Sequence, residues 1–257
     1  ARAAWKSPEH LQALQESRLR RLLAIAAERS PFYRDRLRGL DVSRCSLSEL
    51  PTTTKAELMD DVDDVVIDRD VHRADLERFI DDTGNVGKLF LGRYPVCHTS
   101  GSQGQSLLVL HDRLTLDLLF AFQMTRGNRG YGFPPLEAIR RFFRPGRLAI
   151  IISRPGFFPS AWVWQHLSPG LRPFLKLLYV QASDPELEEK LRTYQPTALT
   201  ATPSVLEQLA LRASRFELRE LQQVVAFSET LSDAARARIG AAFGAPVLDT
   251  YAAGECM

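Results

Sequence analysis

Seven consecutive residues, Thr99-Ser100-Gly101-Ser102-Gln103-Gly104-Gln105, combine two glycines with three hydroxyl side chains. Glycine lets a backbone turn closely around a bound group, and inward-aimed N–H and hydroxyl groups suit an anion, most simply a phosphate. A polar turn without a ligand has the same composition, so on the loop alone both readings stand. A second cluster, Tyr251-Ala252-Ala253-Gly254-Glu255, brackets three small residues with a tyrosine and a carboxylate, which leaves room for a ligand beside the glutamate. Other chemistry-like patterns do not carry through. The acidic run Asp60-Asp61-Val62-Asp63-Asp64 lacks the spaced ligands and turn glycine of a calcium loop and reads as a solvated loop. Gly84-Asn85-Val86-Gly87-Lys88 lacks phosphate-loop spacing and a following Ser or Thr, and reads as a turn.

The elements that must hold these residues follow from hydrophobic periodicity. Leu11, Leu14, Leu19, Leu22, Leu23 and Ala26 recur at helical spacing and predict an amphipathic helix over Pro8 to Arg29, stopped at Ser30-Pro31 because proline disfavours helical geometry in the residue before it. Thr54 and Glu57 have capping-box spacing and predict a helix start. Lys88 to Val96 reads as extended and Leu107 to Leu110 as a short buried strand, which sets the Thr99 loop between two strands, unlike the strand-to-helix loop of a Walker A site. A helix is expected over Asp112 to Gly127 on Leu114, Leu118, Leu119 and Phe122. From Arg147 the pattern alternates: strand Leu148 to Ser153, a helix around Trp162 to Leu167, and strand Lys176 to Gln181. Helix Asp184 to Tyr194 follows with Asp184 as N-cap, then strand Thr197 to Ala201, helix Pro203 to Ala213, strand Gln223 to Phe227, helix Ser232 to Phe243 and strand Pro246 to Thr250. Such alternation predicts an α/β fold with a mainly parallel sheet and flanking helices.

In that architecture ligands sit outside the carboxyl ends of the strands. The rule singles out Ser153-Arg154-Pro155, Ala182-Ser183, Thr202-Pro203-Ser204, Ser228-Glu229-Thr230 and Tyr251 to Glu255. Helix capping alone accounts for Ser204 and Ser232, and a solvated loop charge accounts for Glu229.

The 257 residues with 45% apolar content can bury a large core, and 33 basic against 31 acidic side chains offer no argument for nucleic acid or an anionic membrane as partner. Cys45, Cys97 and Cys256 are odd in number and far apart, which fits a reducing cytoplasm rather than a disulfide framework or zinc ribbon. Apolar runs such as Leu148 to Ile152 are too short to span a bilayer.

Taken in order, the Thr99 loop, Tyr194-Gln195-Pro196-Thr197 with Ala201-Thr202-Pro203-Ser204, Phe227-Ser228-Glu229-Thr230-Leu231-Ser232, and Tyr251 to Glu255 resemble the adenylate-forming superfamily. The amino-terminal helix, Ser30-Pro31-Phe32-Tyr33 and Leu50-Pro51-Thr52-Thr53-Thr54-Lys55 resemble the phenylacetate-CoA ligase branch in particular. The resemblance implies the large domain of an AMP-forming acid-thiol ligase. It makes Thr99 to Gln105 the triphosphate loop, places Ser228, Glu229 and Thr230 beside the adenine, and adds Asp249, Thr250 and Tyr251 to the nucleotide set. Glu255 is implied to help hold magnesium and, with Thr99, to serve catalysis. Strand-end geometry nominates Phe158, Trp162, His166, Ala201 and Thr202 for the acid pocket, with core packing as the alternative for the aromatics and a surface or capping role as that for His166. Implied partners are ATP and AMP, Mg2+, a small carboxylic acid, and CoA or another thiol acceptor, an acyl carrier protein among them; a homodimer is allowed, nucleic acid and membrane are not expected.

The sequence also departs from the family pattern. Gln103 stands for a hydroxyl, Gln105 for the loop lysine, Ser106 for proline, Ala252 for glycine, and Gly254 for the Thr or Ser near the α-phosphate. One phosphate-neutralising charge and one reaction-centre donor are thereby lost. Family members continue beyond the glutamate into a hinge and a lid carrying a lysine, so the expectation is an incomplete large domain, a helical lead-in over 1–75 and a nucleotide-binding core over 76–257, inactive by itself.

Overall fold

The structure is a computed structural model that describes residues 7–99, 106–122, 144–153, 156–158 and 173–250. The chain divides into two compact units, Ala1–Arg113 and Leu114–Met257.

In the first unit, α1 (Pro8–Arg29) starts at Ser7, whose side chain accepts from the His10 N–H, and stops at Ser30 as the following proline requires. Ser30 then caps α2 (Pro31–Arg36) and is itself buried, its hydroxyl donating to the Asp64 carbonyl at 2.8 Å. The Thr54/Glu57 capping box is present at the start of α3 (Lys55–Asp60): Thr54 N–H donates to Glu57 Oε2 at 2.6 Å, and Glu57 N–H to Thr54 Oγ1 at 3.2 Å. The acidic run departs from the expected solvated loop. Asp63 and Asp64 lie in the single turn α4 (Val62–Val65), held because Val62 is buried and because Asp63 Oδ1 accepts the Arg73 N–H at 2.6 Å, capping α5 (Arg73–Asp81) from outside its own sequence. Met59, Val62, Val71, Leu76, Phe90, Val96 and Leu107 form this unit's core.

The Lys88 to Val96 stretch is not one extended segment. Leu91 and Gly92 adopt positive φ (50° and 69°) and close a turn bridged by Phe90 and Tyr94, leaving only β1 (Val96–His98) as strand. β1 pairs antiparallel with β2 (Leu108–Leu110), Val96 opposite Leu110 and His98 opposite Leu108. The Thr99 loop is therefore strand to strand, as its sequence setting predicts.

In the second unit five strands form one parallel sheet in the order β4-β3-β5-β6-β7: β3 (Gly146–Ile152), β4 (Leu175–Gln181), β5 (Ala198–Ala201), β6 (Gln223–Phe227) and β7 (Val247–Thr250). The expected α/β class and parallel pairing are found. β3, an interior strand, ends in a continuous apolar run because both of its faces are covered. Ala149 and Ile151 join the main core with Leu199, Ala201, Val224, Ala226 and Val247, while Leu148, Ile150 and Ile152 face the other side with Leu175, Leu177 and Tyr179. The main core is closed by α7 (Leu187–Tyr194), α8 (Pro203–Ala210) and α9 (Asp233–Phe243) through Leu187, Leu191, Val205, Leu206, Leu209, Ala235 and Ile239. At roughly 1.5–3 kcal/mol for each fully buried large apolar side chain, this layer dominates the unit's stability.

Several boundaries shift for local reasons. α7 begins at Leu187, not at Asp184, whose Oδ1 accepts the Glu186 N–H at 2.8 Å and so shapes a turn before the helix; Glu186 and Lys190 form an ion pair at 3.1 Å. α8 ends at Ala210, followed by a tighter turn over Ala213–Arg215. In α6 (Arg113–Phe122), Leu114 and Leu118 are exposed and Leu116 is buried, because apolar residues lie nearly all round the helix and periodicity could not choose its packed face. The expected helix around Trp162 lies outside the described residues. No helix among those described is long and apolar enough to cross a membrane.

Candidate functional site

The order of the parallel sheet reverses at β3. The chain leaves β3 for β4 on one side and later places β5 on β3's other side, then runs on to β6 and β7. In open parallel sheets the crevice at the carboxyl ends of such a strand pair is the usual ligand position. Two of the predicted strand-end segments, Thr202-Pro203-Ser204 and Ser228-Glu229-Thr230, meet at that end of the second unit.

Past β3, Phe157 is buried and Phe158 half-buried. A Cβ built on Gly156 would come within 2.7 Å of Phe158 Cε2, so the ring lies directly over this glycine's backbone. Past β5, Ala201 is fully buried in the main core, and Thr202 is the N-cap of α8 without using its side chain as a cap. Past β6, Ser228 adopts φ of 68°, a left-handed conformation that a Cβ-bearing residue disfavours. Glu229 follows it and is exposed, yet its carboxylate is engaged. Ser204 N–H donates to Glu229 Oε2 at 3.0 Å and Ser204 Oγ donates to Glu229 Oε1 at 2.9 Å. Ser204 is thus not the capping acceptor expected of it. It lies inside the helix after Pro203, so its N–H is free, and a glutamate from the next strand end fills the role. Thr230 is exposed beside it. Past β7, Asp249 Oδ2 stands 3.8 Å from the Arg236 guanidinium, which also donates to the Val247 carbonyl at 2.6 Å. Thr250 ends the strand, exposed.

In the first unit Thr99 closes the neck of its loop. Its N–H donates to the Leu107 carbonyl at 3.0 Å, and its Oγ1 accepts the Leu107 N–H at 3.0 Å. The hydroxyl and backbone of one residue thereby fasten both ends of the segment that runs from 100 to 106. At the far end of the same hairpin His111 is buried, its N–H bonded to the Pro95 carbonyl at 3.1 Å, and burial holds its imidazole pKa below the ordinary histidine value.

Thr202, Ser228, Glu229 and Thr230 are thus gathered at neighbouring strand ends, with Asp249 and Thr250 one strand further along the same end of the sheet. Ser100 to Gln105, Trp162, His166, Tyr251 and Glu255 lie outside the described residues. The Ser204–Glu229 contact escaped sequence reasoning because 25 residues separate the partners; the signal for it is a proline-led helix start whose second N–H has no acceptor in its own segment. Among the described residues no group of three or more His, Cys, Asp or Glu side chains could hold a metal ion. The two described strand-end carboxylates have partners, Glu229 in Ser204 and Asp249 in Arg236, and Glu255, the implied magnesium ligand, lies outside the described residues.

No protein-family model matches the chain. No curated protein matches it either. Among solved structures, the chain is similar to 2-hydroxyisobutyryl-CoA ligase in complex with 2-HIB-AMP and CoA in the thioesterification state, with a TM-score of 0.68 and 22% identity over 98% of this chain and 50% of that one. The open conformation of that ligase with 2-HIB-AMP and CoA gives a TM-score of 0.64 and 20% identity over 93% of this chain and 49% of that one. Its postadenylation state with 2-HIB-AMP gives a TM-score of 0.64 and 22% identity over 93% and 48%. The chain spans about half the length of these structures, and at this identity the likeness speaks for the fold. Over nearly its whole length this chain has the fold of about half of the 2-hydroxyisobutyryl-CoA ligase chain.

Proposed function

We propose that the chain is the nucleotide-binding large-domain portion of an enzyme that activates a carboxylic acid, aryl or acyl, with ATP and passes the acyl group to a thiol such as CoA, in the manner of the phenylacetate-CoA ligase branch. The observation that carries this reading is the gathering of the motif residues Thr202, Ser204, Ser228, Glu229 and Thr230 at the carboxyl ends of adjacent parallel strands, in a fold shared with a CoA ligase. The Thr99 latch adds support, since Thr99 and Leu107 pair at the two described ends of the stretch that this reading assigns to phosphate.

In the proposed reaction a carboxylate oxygen attacks the α-phosphorus of ATP. The bond to the β-phosphate bridging oxygen breaks, and pyrophosphate leaves. A thiolate then attacks the acyl carbonyl carbon and AMP departs, the thiol proton going to solvent or to AMP. Neither step needs a side-chain nucleophile; alignment and charge stabilisation do the work. In this reading Thr99 to Gln105 hold the phosphates, and Ser228 to Thr230 with Asp249, Thr250 and Tyr251 hold the nucleoside. Phe158, Trp162, His166, Ala201 and Thr202 bound the acid. Magnesium at Glu255 would supply charge neutralisation at the phosphates when bound.

Pyrophosphate release dependent on a carboxylic acid, measured on the full-length gene product against a panel of aromatic and aliphatic acids, tests the proposal. Release with one acid class and formation of its thioester are expected; no release with any acid overturns it. A second reading, a catalytically incomplete nucleotide- or acyl-binding module or an acyl-carrier synthetase component, draws on Gln105 and Gly254 standing where the family has a lysine and a hydroxyl. Nucleotide binding without acid-dependent release, unaltered by Glu255→Ala, favours that module.

A further inference from the structure

We propose that Ser204 is a positioning residue for nucleotide binding, acting through Glu229 on the turn that follows β6. The inference rests on the reading above and assigns Glu229 a different task from ligand contact.

The first residues of α8 present backbone N–H groups with no partner inside the helix. Pro203 removes one of them, and the Thr202 side chain caps none. The N–H of Ser204 is the one met by a carboxylate, Glu229 Oε2 at 3.0 Å, while the Ser204 hydroxyl donates its hydrogen to Glu229 Oε1 at 2.9 Å. With that hydrogen used, the 3.1 Å contact between Thr202 Oγ1 and Ser204 Oγ has Thr202 as donor. A directed chain results, Thr202 to Ser204 to Glu229, with the negative charge ending at the positive end of a helix.

What this chain restrains is the residue before Glu229. Ser228 has φ of 68° with a full side chain, a conformation that persists only where neighbouring contacts impose it. Glu229 is tied at both carboxylate oxygens to α8, and Leu231, two residues on, is buried in the main core, so the turn is pinned on both sides of its exposed part. β5 and β6 are adjacent and parallel, Ala201 opposite Ala226, which sets Ser204 and Glu229 side by side just past the strand ends. The carboxylate is occupied by the helix. The backbone of Ser228 and the side chain of Thr230 remain as the surface such a turn offers to a nucleobase, and their placement depends on Ser204.

The test compares AMP binding by calorimetry with thermal unfolding for the full-length protein, Ser204→Ala, Ser204→Thr and Glu229→Gln. Ser204→Ala should weaken AMP binding about tenfold at a temperature where the variant is fully folded, and Ser204→Thr, which keeps the hydroxyl donor, should restore affinity to within about twofold of wild type. Glu229→Gln keeps size and one acceptor oxygen and should fall between; it serves in place of Ser204→Ala should that variant fail to fold. A purely structural role lowers the melting temperature and leaves the dissociation constant of the folded protein unchanged, so AMP affinity within twofold of wild type in Ser204→Ala overturns the inference alone. A wild-type protein that binds neither AMP nor ATP overturns the nucleotide reading, and this inference with it.

Discussion

Two tyrosines show how much a single polar atom can weigh. Tyr179 on β4 and Tyr194 at the end of α7 bury their hydroxyl oxygens without a hydrogen-bond partner among the described residues, and burial pushes each phenol pKa up to about 12. An unpartnered buried hydroxyl costs about 1–3 kcal/mol, so Tyr179→Phe should raise stability by about 1 kcal/mol, read as a higher urea midpoint at pH 8. The sign with pH follows. Between pH 10, the ordinary phenol value, and about 12 the unfolded chain has lost a proton that the folded chain keeps, so stability falls as pH rises through this window. Tyr179→Phe should flatten that alkaline loss; an identical slope in the variant would place the tyrosine in contact with a hydrogen-bonding group. Gln105 offers a functional counterpart. A lysine there would add one charge-assisted contact to phosphate, so Gln105→Lys should tighten ATP binding about tenfold by calorimetry. An unchanged dissociation constant would remove the loop from the nucleotide site.

Local elements followed the sequence wherever their determinants are local. The Thr54/Glu57 box, the stop at Ser30-Pro31 and the Ser232 cap of α9, which accepts the Ala235 N–H at 3.1 Å, are interactions among residues within four positions of one another and were legible without a fold. Asp63 and Glu229 were not legible. Each caps a helix start that lies 10 or 25 residues away, a pairing that only tertiary packing creates. The Thr99 hairpin is intermediate. Its two strands could be read from pattern, but the bond from Leu107 N–H to Thr99 Oγ1 could not. Thr99→Val keeps the side chain's shape and loses that acceptor. It should cost about 1 kcal/mol in denaturant unfolding and speed hydrogen exchange at the Leu107 amide, whose pairing the hydroxyl completes. Exchange at the wild-type rate would show that the loop neck is held by other contacts.

Across the whole chain, the two compact units carry separate cores, one around Leu76 and Phe90, the other around Leu191, Leu206 and Ile239. Leu76 and Leu206 are each fully buried, and truncating either to alanine should cost about 2–5 kcal/mol. Because they belong to different cores, the double variant Leu76→Ala/Leu206→Ala should lose the sum of the single losses within about 0.5 kcal/mol in equilibrium unfolding. A coupling energy above about 1 kcal/mol would mean that the two sites interact energetically and the cores are not independent. Strand ends bring the motif residues of the second unit together, and the chain spans about half the length of the CoA ligase structures that share its fold.

The amino-acid sequence by itself determined the α/β class, the strands of the parallel sheet and most helix starts, because periodicity and capping act over a few residues. Tertiary structure decided that β3 sits at the reversal of the sheet, that Leu116 rather than Leu114 is buried, and that the Glu229 carboxylate is bound to Ser204. These depend on which distant segments pack together. The Thr99 stretch shows both origins: its two glycines and three hydroxyls mark it as a polar loop, and the packing of β1 against β2 supplies the latch at its neck.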